Sequence, residues 1–319
     1  MNETIMILGA CGQIGTELTL KLRELHGTNA VIACDLKQGS EELMNSGPFE
    51  IVDALNQELL VEIIEKYNVT QMYHLVAMLS ATAEKVPLVG WDLNMKTLLI
   101  GLELAREGRI KKLFWPSSMG AFGPTSPKEQ TPQHCVMEPT TVYGISKLAG
   151  EHWCQYYFDK YGVDVRSIRY PGIISWKTQP GGGTTDYAVD IYFKAIQEGK
   201  YTSFLNASTK LPMMYMDDAV DATIQLMKAD SERLRIRTSY NLAAMSFTPE
   251  EVGEEIKNHI PHFHLDYAPD FRQDIADSWP RSIDDSYAQE DWDWKPSFDL
   301  KAMTQTMLSA LKKTSNLNI

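Results

Sequence analysis

Short, wholly apolar runs alternate with amphipathic stretches along the first half of the chain. TIMILGA (4–10), AVIACDL (30–36), FEIVDAL (49–55), QMYHLVAM (71–78), KKLFWPSS (111–118) and VDVRSIRYPG (163–172) read as six strands. Apolar residues at helical spacing run through 14–25, 59–68, a long stretch near 91–107, and the segment from Tyr143 to Gly162. Strand and helix in regular alternation build βαβ units. The expectation is an α/β fold, a doubly wound parallel sheet with helices on both faces.

The second half changes character. TQPGGGTTDYAV (178–189) is a glycine-rich loop running into a helix, and DSWPRSIDDSYAQEDWDW (277–294) mixes aromatic, proline and acidic residues. This predicts a smaller C-terminal substrate-binding lobe over the carboxyl edge of the sheet. The boundary is placed at 1–175 and 176–319, with some later elements returning to the first sheet. No low-complexity linker separates the two parts and no internal repeat is visible.

Composition narrows the classes. A chain of 319 residues, 44% hydrophobic and 23% charged, has the profile of an ordinary globular protein. Its formal net charge of -12 argues against a nucleic-acid binder, which needs a basic surface, and against an anionic membrane. Cys11, Cys34, Cys135 and Cys154 show neither CxxC pairing nor zinc spacing, so reduced thiols and no metal are expected. The sequence shows no secretory signal and no membrane-length apolar run. A cytoplasmic location is expected.

ILGACGQIG sets Gly9, Gly12 and Gly15 between the first strand and the first helix. Glycines there permit a tight turn and let backbone N–H groups approach a pyrophosphate at the helix N-terminus. This is the Rossmann arrangement. Asp35 follows at the end of the second strand, where its carboxylate would accept from both ribose hydroxyls of NAD and repel a 2′-phosphate. NAD is therefore expected over NADP, with Lys37 the contrary indication. Asp53 would reach the adenine amino group or cap the next helix.

Tyr143 and Lys147 stand four positions apart, on one helical face. A phenol with pKa near 10 is too weak a base at neutral pH. Bringing it there needs roughly 4 kcal/mol of differential stabilisation, which two nearby positive charges would supply, one from Lys147 and one from oxidised nicotinamide. Ser117 and Ser118 close the fifth strand at the edge where ligands of open α/β sheets bind. A hydroxyl there orients the reacting oxygen.

In this order GACGQIG, Asp35, HLVA, SSMGAFG, YGISK and RYPGII resemble the extended short-chain dehydrogenase/reductase superfamily. The resemblance implies an NAD-dependent enzyme with a catalytic triad of Ser118, Tyr143 and Lys147, Tyr143 being the acid/base and Lys147 holding the nicotinamide ribose. It places Gln13, Ile14, Ala54, Leu75, Ala77 and Pro171 with the glycines around the dinucleotide. Ser118 is preferred because SMGAFG matches the family's serine-to-aromatic-glycine spacing, and Ser117 stays open.

Within that superfamily the place of a dehydratase's acidic pair is occupied by Met119-Gly120. A nucleotide-sugar enzyme wants cations for a diphosphate, and the acidic second half offers mainly Arg272 and Arg281. MLSATAE (78–84), PGGGTTDYAV (180–189), KLPMMYMDDAV (210–220) and the 277–294 stretch resemble the short-chain type of L-threonine 3-dehydrogenase. That resemblance implies oxidation of the β-hydroxyl of L-threonine. Ser80, Ser118, Tyr143, Thr184 and Thr185 would then hold the substrate, Trp279 would close over it, and Asp186 is the candidate for its ammonium. Competing readings are an NAD-dependent nucleotide-sugar 4-epimerase and a redox-sensing binding protein. The family's usual pairing of helices implies a homodimer.

Overall fold

The computed structural model describes residues 3–177, 181 and 183–316. Six strands, β1 (Ile5–Leu8), β2 (Val31–Asp35), β3 (Phe49–Ile51), β4 (Gln71–His74), β5 (Lys112–Ser118) and β6 (Asp164–Tyr170), alternate with α1 (Gln13–His26), α2 (Glu41–Asn45), α3 (Gln57–Tyr67), α4 (Ser80–Lys85), α5 (Pro87–Arg106) and α6 (Val142–Tyr161). There follow β7 (Gly172–Ile174), α7 (Tyr187–Gln197), β8 (Lys200–Ser203), β9 (Leu211–Tyr215), α8 (Met216–Lys228), β10 (Tyr240–Asn241), β11 (Met245–Phe247), α9 (Pro249–Lys257), β12 (His264–Tyr267), α10 (Arg272–Ser278), α11 (Ser286–Trp292) and α12 (Leu300–Asn316).

The main sheet has the order β10-β6-β5-β4-β1-β2-β3, and its pairings are parallel. The apolar runs have a direct cause. Successive side chains of a strand point to opposite faces, and both faces are covered. Ile5, Ile7, Val31 and Ala33 enter one core cluster with Leu18 and Leu22 of α1. Their neighbours Met6, Leu8, Ile32 and Cys34 enter another with Ile63 and Ile64 of α3 and Leu98 and Leu102 of α5. A third cluster joins α7, β9, α9 and α12 to Trp279, Met119 and Phe122. The edge strand β10 and the helix α8, which packs against α1, come from the second half of the sequence. Smaller sheets, β11-β9-β7 and β12-β8, complete the second lobe.

The strands run shorter than the apolar runs that predict them, and at three of them the local cause is visible. β3 ends at Ile51, and the next residues fold into a turn in which Asp53 Oδ1 accepts from Leu55 N at 2.9 Å. β4 ends at His74, where the chain leaves the sheet toward the short helix α4. The run 163–172 divides at Pro171, which cannot donate to a ladder, and the chain resumes as β7 in a different sheet. The five-residue α2 and six-residue α4 are too short for their periodicity to be read. All four cysteines are free. Among the described residues no helix is long and apolar enough to cross a membrane.

Candidate active site

β1 and β4 are neighbours whose connecting chains leave toward opposite sides, so a crevice opens at their carboxyl ends. A cleft of about 290 Å³ lies there. Gly9, Gly12, Gln13, Ile14, Gly15, Leu75, Ala77, Ser80, Ser118, Tyr143, Lys147, Pro171, Thr184, Thr185 and Trp279 line it together, as do Asp186 and Ser117. Asp35, Asp53 and Ala54 stand outside this lining, on the β2–β3 side. Residues 178–180 and 182 of the glycine-rich loop lie outside the described residues.

The dinucleotide end is built by close approach. A Cβ on Gly15 would sit 2.2 Å from the Gly9 carbonyl oxygen, so only glycine lets α1 pack this near the turn. Gly9 itself has φ +92°, a conformation that glycine adopts freely. α1 has neither a side-chain cap at Gly12 nor an acidic residue in its first turn. Its leading N–H groups are thus free to meet an anion, and the dipole favours one. Asp35 Oδ2 accepts from Cys11 N at 2.9 Å, which fixes the carboxylate beside the glycine turn. These features fit a dinucleotide with its pyrophosphate over α1 and a ribose near Asp35. The cap of α3 is Asn56 and not Asp53, whose carboxylate is engaged by Leu55 N in the preceding turn, so the helix-capping alternative for Asp53 does not hold.

The catalytic end is carried by α6. Thr141 caps it, accepting from Gly144 N at 3.1 Å, and Gly162 in the left-handed region ends it. A Cβ on Gly144 would meet the Gly120 carbonyl oxygen at 2.2 Å, so glycine permits the helix to pack against the turn after β5. Tyr143 is half-buried and Lys147 is buried, on the same face. Lys147 Nζ donates to the Pro116 carbonyl at 2.5 Å, 5.5 Å from the Tyr143 ring centroid and 4.5 Å from that of Trp115. Pro116 stands beyond the reach of β4, whose pairing to β5 runs only to Phe114, so its missing N–H costs no bond to β4.

Burial is the largest influence on the proton affinity of both groups. It pushes Lys147 down to about 7, against an opposing pull from Cys154 and the Glu151 carboxylate. It pushes the Tyr143 phenol up, with the Ser118 hydroxyl offsetting part of the rise. Removing a phenolate from water is the larger of the two effects at Tyr143.

The two serines part company. Ser118 Oγ accepts from Gly120 N at 3.1 Å and lines the cleft beside Tyr143. Ser117 Oγ donates to Glu151 Oε1 at 2.6 Å. Glu151 is in turn paired with Arg169, at 2.7 Å from Nη2 and 2.9 Å from Nε, with both side chains buried. Sequence reasoning missed this support and the Pro116 acceptor. The spacing of Tyr143, Lys147 and Glu151, each one turn after the last, was the signal for Glu151.

On the substrate side, Ser80 begins α4, Thr184 and Thr185 lie in the turn before α7, and Trp279 caps the end of α10. Asp186 Oδ2 accepts from Gly183 N at 2.6 Å. Arg272 is paired with Asp270 and stacked on Phe204, Arg281 is directed at Glu129, and neither lines the cleft. Lys147 is the one cationic side chain among the described lining residues.

Comparisons with known proteins agree with this geometry. The sequence profile of the NAD dependent epimerase/dehydratase family matches residues 5–243. An uncharacterised epimerase/dehydratase of Staphylococcus haemolyticus is 53% identical over 313 residues, 98% of each chain. The holo structure of an L-threonine dehydrogenase from Cupriavidus necator superposes with a TM-score of 0.94 at 52% identity, covering 97% of this chain and 99% of that one. A monomeric L-threonine 3-dehydrogenase from a metagenome superposes at 0.93 with 48% identity, over 98% and 99%.

Proposed function

This chain belongs to the NAD-dependent epimerase/dehydratase family, and within it we propose that it oxidises the β-hydroxyl of L-threonine to 2-amino-3-oxobutanoate. One observation carries the substrate reading. Among the described residues, the cleft holds hydroxyl donors and an indole around Tyr143, but no cation besides the buried Lys147. A nucleotide diphosphate needs fixed positive charge, whereas the single carboxylate of an amino acid is served by hydroxyl and backbone donors. Solved structures of threonine dehydrogenases near 50% identity support the same choice.

When bound, oxidised NAD supplies the hydride acceptor and a positively charged ring. Tyr143 takes the proton from the β-hydroxyl as the Cβ–H bond breaks and the carbonyl forms. Ser118 holds the reacting oxygen by hydrogen bonding, which fixes the distance over which the proton moves. Lys147, anchored on Pro116, places its charge beside the phenol and stabilises the anion that proton transfer requires. Thr184, Thr185 and Ser80 hold the substrate carboxylate, Asp186 faces the ammonium, and Trp279 excludes water. Gly9, Gly12, Gln13, Ile14, Gly15, Asp35, Asp53, Ala54, Leu75, Ala77 and Pro171 form the dinucleotide side. Residues 1–175 form the cofactor half and 176–319 mainly the substrate lobe.

The same reading pairs two copies through α5 and α6. Leu88 and Val89 on α5, and Ile145, Trp153 and Tyr156 on α6, are exposed apolar residues on helices that pack side by side. The deciding experiment follows NADH absorbance with L-threonine, other 3-hydroxy amino acids and a UDP-hexose. Net NADH with threonine is expected. Conversion of the UDP-hexose without net NADH overturns the reading in favour of an epimerase.

A further inference from the structure

Trp279 reaches the cleft from the C-cap of a short helix in the second lobe, so something must hold that end in place. The carbonyls at a helix terminus lack intrahelical partners. Here two of them have one. Lys128 Nζ donates to Ser278 O at 2.7 Å and to Trp279 O at 3.3 Å. Lys128 belongs to the loop that leaves Ser118 and leads to α6, the two elements bearing the catalytic side chains.

The backbone of that loop clasps the same segment. Arg281 N and Ser282 N donate to the Lys128 carbonyl at 2.7 and 3.2 Å. Gln130 N donates to Ser282 Oγ at 2.8 Å, and Thr131 N to Ser282 O at 2.9 Å. Gln130 adopts φ 46° to make this turn. A non-glycine residue enters that region only where surrounding bonds hold it.

We propose that Lys128 is a positioning residue for the reaction: its ammonium latches the Trp279 end of α10 to the Ser118 loop and so sets the tryptophan over the substrate. The assignment of threonine rests on the function proposed above; the latch itself does not. A lysine suits the task because its compact charge carries several donors, enough for both carbonyls at once. Methionine keeps much of the apolar stem and removes every donor.

Lys128→Met and Lys128→Arg are compared with the wild type by amide hydrogen exchange and by kinetics. In Lys128→Met, exchange across 278–283 is expected to accelerate roughly tenfold, with β1 and α1 unchanged. KM for L-threonine rises by about tenfold, kcat changes by less than about threefold, and KM for NAD stays at the wild-type value. Lys128→Arg restores most of both effects. In a Trp279→Ala background the lysine substitution adds little, because the residue it positions is gone. Should Lys128→Met not fold, Lys128→Leu, which also has no donor, replaces it in every arm. Unaltered exchange across 278–283 overturns the latch. Faster exchange with an unaltered threonine KM overturns the positioning role and leaves only a structural tie. A wild type that does not oxidise threonine removes the function reading, and exchange then decides the latch alone.

Discussion

Ser117 Oγ donates to Glu151 Oε1 at 2.6 Å, inside the protein, where Arg169 neutralises the carboxylate. Both serines line the cleft, but the Ser117 hydroxyl is committed to Glu151. Adjacent strand residues face opposite ways, so the Ser118 hydroxyl is the one expected to serve the substrate. Ser117→Ala takes a donor from a buried carboxylate and is expected to cost about 1–3 kcal/mol of stability. Ser118→Ala is expected to cost little stability and about tenfold or more in turnover. Thermal melts and steady-state rates on both variants check the pair. Equal losses of turnover would give Ser117 a share of the chemistry.

Tyr143→Phe removes the hydroxyl and keeps the ring. Dinucleotide binding is expected to survive, and turnover to fall by roughly a hundredfold or more. Titration of NAD by protein fluorescence, paired with the NADH assay, separates the two. Near-normal turnover would take the base role from Tyr143.

Asp35 is held beside the glycine turn by Cys11 N. Asp35→Ala is expected to raise KM for NAD about tenfold and to relax the preference over NADP, since the carboxylate that repels a 2′-phosphate is gone. The ratio of kcat/KM for the two cofactors is the measurement. An unchanged ratio places ribose recognition elsewhere.

His74 is buried at the end of β4, and its ring nitrogens have no hydrogen-bond partner among the described residues. Burial pushes it down from 6.5 to about 4; its own backbone opposes the fall, and the Lys147 charge adds a smaller push in the same direction as burial. The unfolded chain therefore binds the extra proton first. The stability of the neutral ring is full above pH 6.5 and is lost as pH falls toward 4, by about 3 kcal/mol in all. His74→Asn, which does not titrate, is expected to flatten this part of the curve. Melting temperatures of both proteins from pH 7 to pH 4.5 test it, and parallel curves would clear His74.

The exposed side chains of α5 and α6 predict a dimer that a charge would split. Trp153→Glu is expected to shift sedimentation from two copies to one without unfolding the chain. A wild type that sediments as a monomer at all concentrations would refute the pairing.

Much of this protein is readable along the chain, wherever the chemistry is local. The doubly buried strands declare themselves because Ile5 and Met6 must satisfy opposite faces at once. Tyr143 and Lys147 meet because one helical turn separates them, and Gly15 is dictated by a neighbour six residues back. Tertiary structure decided what depends on distant partners. It tied Ser117 to Glu151 and Arg169, put the Pro116 carbonyl under the lysine, and ended β4 early enough for a proline to stand in β5. It also set the balance of charge, because desolvation depends on everything packed around a group and not on its neighbours in sequence. For the same reason the tyrosine–lysine spacing was visible at once, while the upward shift of the phenol was not.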